Sequence, residues 1–490
     1  MFLPVRKFAV VAALACAFSQ ADFAQQAAAV EQHIQHVTSG LIGPVVLKGD
    51  EHATRTLADR MKELNVPGVS IAVIHNGKIE WARGFGVRSM GGSPVNAETM
   101  FQAGSISKPL AALACLRLVQ QGKLSLDTDV NTYLTSWKLP TDPVQQGKPV
   151  TLRELLTHTG GTTVHGFLGY ASNEPVPTLV QVLNGEKPAN TPAIRSEAAP
   201  GARWNYSGGG YTIMQQVVLD TTKQPFSKLL HDTVLAPIGM TRSTYEQPLP
   251  QNLRDNAAVP YRGDGKPVEG GAHTYPEMAA AGLWTTPTDL AKYALEVVHS
   301  LDGKANHVLS ASMTRQMLTR GMGNWGLGLE IGGTDAAPWF SHGGVNEGFV
   351  NIFYMFEKNG DGAFIMTNGD TGGRIGDELI HSIAAEYNWP DLRPVARAAV
   401  HVDPKIVEPC AGKYAITPTV DIDITLENGQ LTWQGPHGPK FPLYAESDSK
   451  FFLLVAPPNS SIEFRKDQQG KVTAMLVHQP DGVTTTAAKK

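Results

Sequence analysis

Ser105-Ile106-Ser107-Lys108 places a hydroxyl and an amine three residues apart, the spacing that brings two side chains onto one face of a helix. An unassisted serine is a poor nucleophile at neutral pH. A lysine kept neutral by burial can take its proton and turn it into one. If the pair begins a helix, unsatisfied backbone N–H groups and the positive dipole end also favour a developing oxyanion there. Ordinary Ser and Lys usage produces roughly one such spacing by chance in a chain this long, and Ser447-Asp448-Ser449-Lys450 repeats it. That second copy falls in a stretch of strand-like alternation, where positions i and i+3 point to opposite faces, so it reads as a decoy. Gly68-Val69-Ser70-Ile71-Ala72 is the nearest approach to the nucleophile elbow of a Ser-His-Asp hydrolase. It lacks the final glycine and lies in a strand rather than at a strand-to-helix turn.

The elements that must hold Ser105 and Lys108 are legible around them. A helix is predicted from about Ser105 to Gln121, with Ala111, Ala112, Cys115, Leu116 and Val119 apolar and Gly122 as its stop. Upstream, a short amphipathic stretch covers Ala53 to Leu64. Val69 to Ile74 and Ile79 to Val87 flank Asn76-Gly77, a pair suited to the positive φ angles of a type I′ hairpin turn. Further helices are expected at Thr151 to Leu156, around Tyr211 to Leu219, and after Thr286-Pro287-Thr288-Asp289, where Thr caps and Pro takes the first helical position. Val350 to Phe356 and Ala363 to Thr367 flank a second hairpin turn, and Arg374 to Tyr387 closes with a helix. Strands early and late with helices between predict an α+β domain whose sheet joins both ends of the segment. After Trp389-Pro390 the pattern changes: Val420, Ile422, Ile424 and Leu426 alternate with polar residues before Asn428-Gly429, and Phe451 to Val455, Ile462 to Phe464 and Val472 to Val477 continue it. This predicts a small all-β, barrel-like module.

The company of Ser105 carries a family resemblance. Phe101-Gln102-Ala103-Gly104-Ser105-Ile106-Ser107-Lys108-Pro109 with Gly122-Lys123-Leu124-Ser125-Leu126-Asp127 resembles the class C β-lactamase group with its penicillin-binding protein, esterase and D-aminopeptidase relatives. Val150 to Gly161, Tyr206-Ser207-Gly208, Ala281-Gly282-Leu283-Trp284 and His342-Gly343-Gly344 follow in matching order. The β-rich tail resembles the lipocalin-like modules appended to some members. The resemblance implies a β-lactamase/transpeptidase-like fold, with an antiparallel sheet and a helical region. It further implies an acyl-enzyme on Ser105, with Lys108 and Tyr206 sharing proton transfer, backbone N–H groups of Ser105 and Val345 forming an oxyanion hole, and His342, Gly343, Gly344 and Gly208 meeting the substrate. Many β-lactamases carry Asn where Gly208 stands and Lys where His342 stands. Neutral replacements hold an anionic β-lactam less firmly, which favours esters or D-amino acid peptides. The residue-level readings of His158 and Ser107 are structural: a helix-end cap before Gly160-Gly161 and a core-facing first-turn residue.

Composition bounds the alternatives. The 490 residues, 42% hydrophobic and 18% charged, describe a globular chain of two or more domains. The expected division is a signal peptide at 1–21, an N-terminal segment at 22–49, a hydrolase domain at 50–390, a linker at 391–403 and a β module at 404–490. A net charge of −4 without a Lys/Arg cluster gives no reason to expect nucleic acid. Arg6-Lys7, the apolar run Phe8 to Phe18 and Ser19-Gln20-Ala21 fit an export leader too short to span a membrane. Export to the periplasm or medium is therefore expected, with lipidation at Cys16 the lesser alternative. The remaining Cys115 and Cys410 read as small buried hydrophobes. The 15 histidines show no zinc spacing and no phosphate-binding loop is present, so neither metal nor cofactor is expected. The partner is a small-molecule or short-peptide substrate. The competing class is a degenerate relative that only binds or regulates.

Overall fold

The computed structural model describes residues 25–50, 54–417, 420–436, 438–480 and 482–490. The expected export leader at 1–21, with Cys16, lies outside the described residues. Residues 25–34 and Leu57–Gly376 form one compact unit, and Gln35–Thr56 with Asp377–Lys490 form another.

The first unit is built on a six-stranded antiparallel sheet. Its strands are β1 (Gly68–His75), β2 (Lys78–Gly86), β3 (Glu330–Thr334), β4 (Ala337–Asn346), β5 (Phe349–Phe356) and β6 (Gly362–Thr367), in the spatial order β2-β1-β6-β5-β4-β3. The early hairpin and the late strands thus meet where β1 pairs with β6, Val69 opposite Thr367. Asn76 and Gly77 both have positive φ, as the turn requires, and His75 faces Lys78 across the two-residue loop. α1 (Ser107–Gln120) packs among other helices and is buried along most of its length, which fits its apolar run from Pro109 to Leu116. The other helices that matter to the site are α2 (Gly208–Thr222), α3 (Met278–Ala281), α4 (Pro287–Leu301) and α5 (Gly372–Glu386). Thr286 caps α4 by accepting the Asp289 N–H at 3.1 Å, and α4 packs on β1 and β6.

Two local expectations need correction. The helix starts at Ser107, not Ser105, because a 3₁₀ turn over Gly104–Ile106 precedes it. The region around Tyr211 begins its helix at Gly208, capped by the Ser207 hydroxyl. Beyond these corrections, residues 25–39 of the N-terminal segment form a helix for which the sequence reading gave no expectation.

In the second unit, Val45–Leu47 pairs in parallel with Val395–Arg397, and nine antiparallel strands follow from Gly412 to Lys489. The strands Lys440–Pro442 and Tyr444–Ala445 stand at opposite ends of the hydrogen-bonded order, yet one residue separates them. That residue can span only about 7 Å, so the sheet curls into a nearly closed barrel. Tyr414, Ile422, Ile424, Phe451, Phe464 and Met475 fill it. Cys115 and Cys410 are free and buried, and burial raises the Cys115 thiol to about 12. Among the described residues no helix is long and apolar enough to cross a membrane.

Candidate active site

The turn carrying Ser105 is fixed from three directions. Phe101–Gln102 pairs with Trp284–Thr285, and the Ala103 N–H donates to Leu283 O at 2.8 Å. The buried Ser107 hydroxyl donates to Gly104 O at 2.6 Å and accepts the Leu283 N–H at 2.9 Å. Ser107 is therefore the pin that ties the turn to the chain entering β-structure at Trp284. On the third side, β4 lies backbone to backbone against the turn. A Cβ at Gly344 would fall 1.9 Å from Ala103 O, and one at Gly104, whose φ is +56°, would fall 2.5 Å from the Val345 nitrogen. Only glycine permits that approach at either position.

The Lys108 side chain is 2% exposed, and its Nζ lies 2.9 Å from Ser105 Oγ and 2.9 Å from Ala280 O on α3. No carboxylate is hydrogen-bonded to it. Burial therefore lowers its pKa to about 7, which leaves much of the amine unprotonated at neutral pH. Nζ also stands 5.0 Å from the centre of the Tyr206 ring. The Tyr206 hydroxyl shares a hydrogen bond with Ser105, but burial outweighs it and holds the phenol above its ordinary range. The resting site thus pairs an amine that is about half neutral near pH 7 with a protonated phenol, rather than with a phenolate.

His158 departs from its expected role. It caps no carbonyl: its backbone is left-handed, its ring is buried, and Nδ1 accepts the Ser207 N–H at 3.1 Å. The ring lies 4.2 Å from that of Tyr206, with Trp325 packed edge-on against it at 5.1 Å. Desolvation, with Lys108 nearby, keeps His158 neutral well below the usual histidine range. It backs Tyr206, a task no sequence signal at Thr157-His158-Thr159 could announce.

Strand parity sorts the residues of β4. His342, Gly344 and Asn346 face inward, while Gly343 and Val345 face out. His342 is 3% exposed, with Nδ1 donating to Gly343 O at 2.5 Å, and desolvation followed by the Lys108 charge lowers its pKa to about 3. It is a neutral imidazole. A Cβ on Gly343 would touch nothing closer than 3.8 Å, and one on Gly208 would meet the Phe167 ring at 2.9 Å. A cavity of about 320 Å³ opens at Ser105 and Lys108, walled by Phe167, Leu168, Ala280, Val345, Asn346 and Glu347 among others. Ser105, Lys108 and Val345 meet there. His342, Gly343, Gly344 and Gly208 do not line it, and act on its walls from behind or from outside. Asn346 was missed: its Nδ2 donates to Gln102 Oε1 and Ala281 O, each at 3.1 Å. Its place four residues after His342, hence on the same face, was the available signal.

The decoys resolve simply. Ser447 sits in a turn, not in the expected strand, and its hydroxyl accepts the Lys450 backbone N–H at 3.1 Å. Ser70 is wholly buried in β1. Among the described residues no group of three His, Cys, Asp or Glu side chains could hold a metal.

Comparison with known proteins identifies the family. The Beta-lactamase family model matches residues 53–387, and the chain belongs to that family. Penicillin-binding protein 4 of Amycolatopsis lactamdurans is 26% identical over 379 residues, covering 72% of this chain and 94% of that one. Esterase EstB of Burkholderia gladioli is 29% identical over 306 residues, covering 55% and 76%. Among solved structures, the octameric penicillin-binding protein homologue from Pyrococcus abyssi shares the fold at a TM-score of 0.57 and 21% identity, over 89% of this chain and 97% of that one. The D-alanine carboxypeptidase AmpC from Burkholderia cenocepacia does so at 0.54 and 22%, over 67% and 96%.

Proposed function

We propose that the protein is an exported serine hydrolase that forms an acyl-enzyme on Ser105, within a hydrolase domain assigned to residues 50–390 and followed by a β module at 404–490. The observation that carries this reading is the 2.9 Å approach of a buried Lys108 Nζ to Ser105 Oγ. In the reaction, neutral Lys108 takes the Ser105 proton as Oγ bonds to the substrate carbonyl carbon. The oxyanion is received by the backbone N–H groups of Ser105 and Val345. Tyr206, still protonated, gives its proton to the leaving group and regains one from the Lys108 ammonium, and water then releases the acyl group by the reverse relay.

Carboxylic esters are the favoured substrates among esters, D-amino acid peptides and β-lactams. The resemblance places His342 and Gly208 where many β-lactamases carry Lys and Asn; here His342 is a buried, neutral imidazole behind the cavity wall and Gly208 has no side chain, so neither supplies a handle for a substrate carboxylate or amide. The relative named an esterase agrees with this choice.

The test is p-nitrophenyl acetate hydrolysis by the chain lacking residues 1–21, beside a folded Ser105→Ala variant. Loss of at least about a thousandfold in the variant is expected. Equal rates in both proteins would end the Ser105 mechanism, and no turnover in either would favour the binding or regulatory role.

A further inference from the structure

Beside Ser105, Lys108 and Asn346 the cavity is lined by apolar residues and by a single acidic residue, Glu347. Glu347 is held rather than free. Its Oε2 pairs with Arg262 Nη1, and the same guanidinium nitrogen reaches Asp370 Oδ2 at 3.4 Å. Asp370 Oδ1 in turn accepts the Gly348 N–H at 2.7 Å, which fixes the β4–β5 turn that carries Glu347. The Glu347 N–H donates to the Tyr275 hydroxyl at 3.3 Å, and that hydroxyl donates to the carbonyl of Leu168, another wall residue. Two carboxylates therefore share one guanidinium. The cluster carries a net charge of −1, and Glu347 is its one member among the residues lining the cavity, with its side chain 18% exposed and that of Arg262 41% exposed.

Among the described residues the one basic side chain lining the cavity is Lys108. Lys108 is engaged with Ser105 and Ala280. His342 is buried with Nδ1 on Gly343 O. His165, beside the wall residue Gly166, places Nδ1 on Tyr206 O and faces Glu197 across 3.9 Å. His273 places Nδ1 on Leu168 O. A substrate carboxylate entering on the Glu347 side would meet like charge, with only the engaged Lys108 amine as counter-ion, whereas an ammonium there would meet Glu347.

Resting on the acyl-enzyme reading above, we propose that Glu347 is a specificity residue that selects acyl donors bearing an ammonium group and rejects those bearing an anion. The cavity, at about 320 Å³, lies at the small end of ligand pockets, so the charged group must sit within a few bonds of the reacting carbonyl.

The experiment uses three p-nitrophenyl esters that differ chiefly in charge: 4-(trimethylammonio)butyrate, 5,5-dimethylhexanoate and 4-sulfobutyrate. With the unsubstituted protein, kcat/KM should fall in that order, by about tenfold or more between the ends, and the spread should shrink as salt is raised. Glu347→Gln leaves Arg262 and Asp370 as a neutral pair and should collapse the cationic-to-anionic ratio to within about twofold. Glu347→Asp should retain most of it. The neutral ester is the internal reference, so a general loss of rate cancels from the ratio. An unchanged ratio in Glu347→Gln, or a preference for the sulfonate in the unsubstituted protein, would overturn the assignment. Failure of all three esters, with p-nitrophenyl acetate insensitive to Ser105→Ala, would instead defeat the underlying mechanism.

Discussion

The chain carries Ser-x-x-Lys twice, and the two copies differ in everything except spacing. At the first, a 3₁₀ turn leads into a buried helix, the lysine amine sits on the serine hydroxyl, and no carboxylate is bonded to it. At the second, the serine lies in a turn, its hydroxyl accepts backbone N–H groups of Ser449 and Lys450, and Lys450 reaches Glu446 at 3.3 Å with its side chain 48% exposed. A hydroxyl that accepts local backbone bonds is a turn-former. A hydroxyl facing a desolvated amine is a nucleophile in waiting. The motif is thus a statement about spacing, and the chemistry comes from what surrounds it.

The sharpest way to break this comparison is to remove each lysine in turn. Lys108→Ala should lower kcat/KM for p-nitrophenyl acetate by about a thousandfold or more, because the proposed proton acceptor is lost, while Lys450→Ala should stay within about twofold. The pH profile adds the sign. The neutral amine is the working form, so activity should rise with pH through about 7, where burial places Lys108, and fall away as the amine protonates below it. A profile flat across that range would mean that another base accepts the proton.

What the sequence disclosed and what it withheld divide along the same line. Caps and turns were legible because their chemistry is local: Thr286-Pro287 opens α4, and Asn76-Gly77 closes the first hairpin. The antiparallel sheet joining both ends of the segment was legible from the order of its strands. The start of α1 was displaced by two residues because Gly104, at φ +56°, turns the chain to meet β4, a constraint imposed from some 240 positions away. His158 gave no signal, since its place behind Tyr206 depends on a left-handed backbone and a packed Trp325. The inward face of β4 could have been read by parity from His342 to Asn346, yet burial had to be known first.

The backbone apposition at Ser105, absent at Ser447, offers a second break. Gly344→Ala would drive a Cβ to 1.9 Å from Ala103 O, and because the obstacle is backbone the strand must shift. Moving the Val345 N–H by even 1 Å should cost about a hundredfold in kcat, with a lowered melting temperature. Gly343→Ala on the outer face, with nothing nearer than 3.8 Å, should change stability by less than about 0.5 kcal/mol. Assaying both variants for rate and for thermal unfolding separates the two. Equal behaviour would mean that the strand does not hold the turn.

The smallest effect concerns burial without a partner, now with the opposite sign of charge. Glu277, on the residue before α3, is wholly buried, and neither carboxyl oxygen has a hydrogen-bond partner among the described residues. Desolvation raises its pKa from 4.5 to about 8. The folded state therefore holds a proton that the unfolded chain releases, and stability is fully present below about pH 4.5 and declines as pH rises to about 8, by an amount on the order of a few kcal/mol. Lys108 works the other way and in another window: its pKa falls from 10.5 to about 7, so its contribution grows between those values. Glu277→Gln should flatten the loss of melting temperature between pH 5 and 7 while leaving the alkaline limb in place. Parallel curves for the two proteins across pH 5 to 7 would mean that Glu277 is solvated or paired in solution, and that lack of a counter-charge does not by itself shift a buried group in this fold. Such a result would also weaken the argument for Lys108, whose neutrality rests on the same physics.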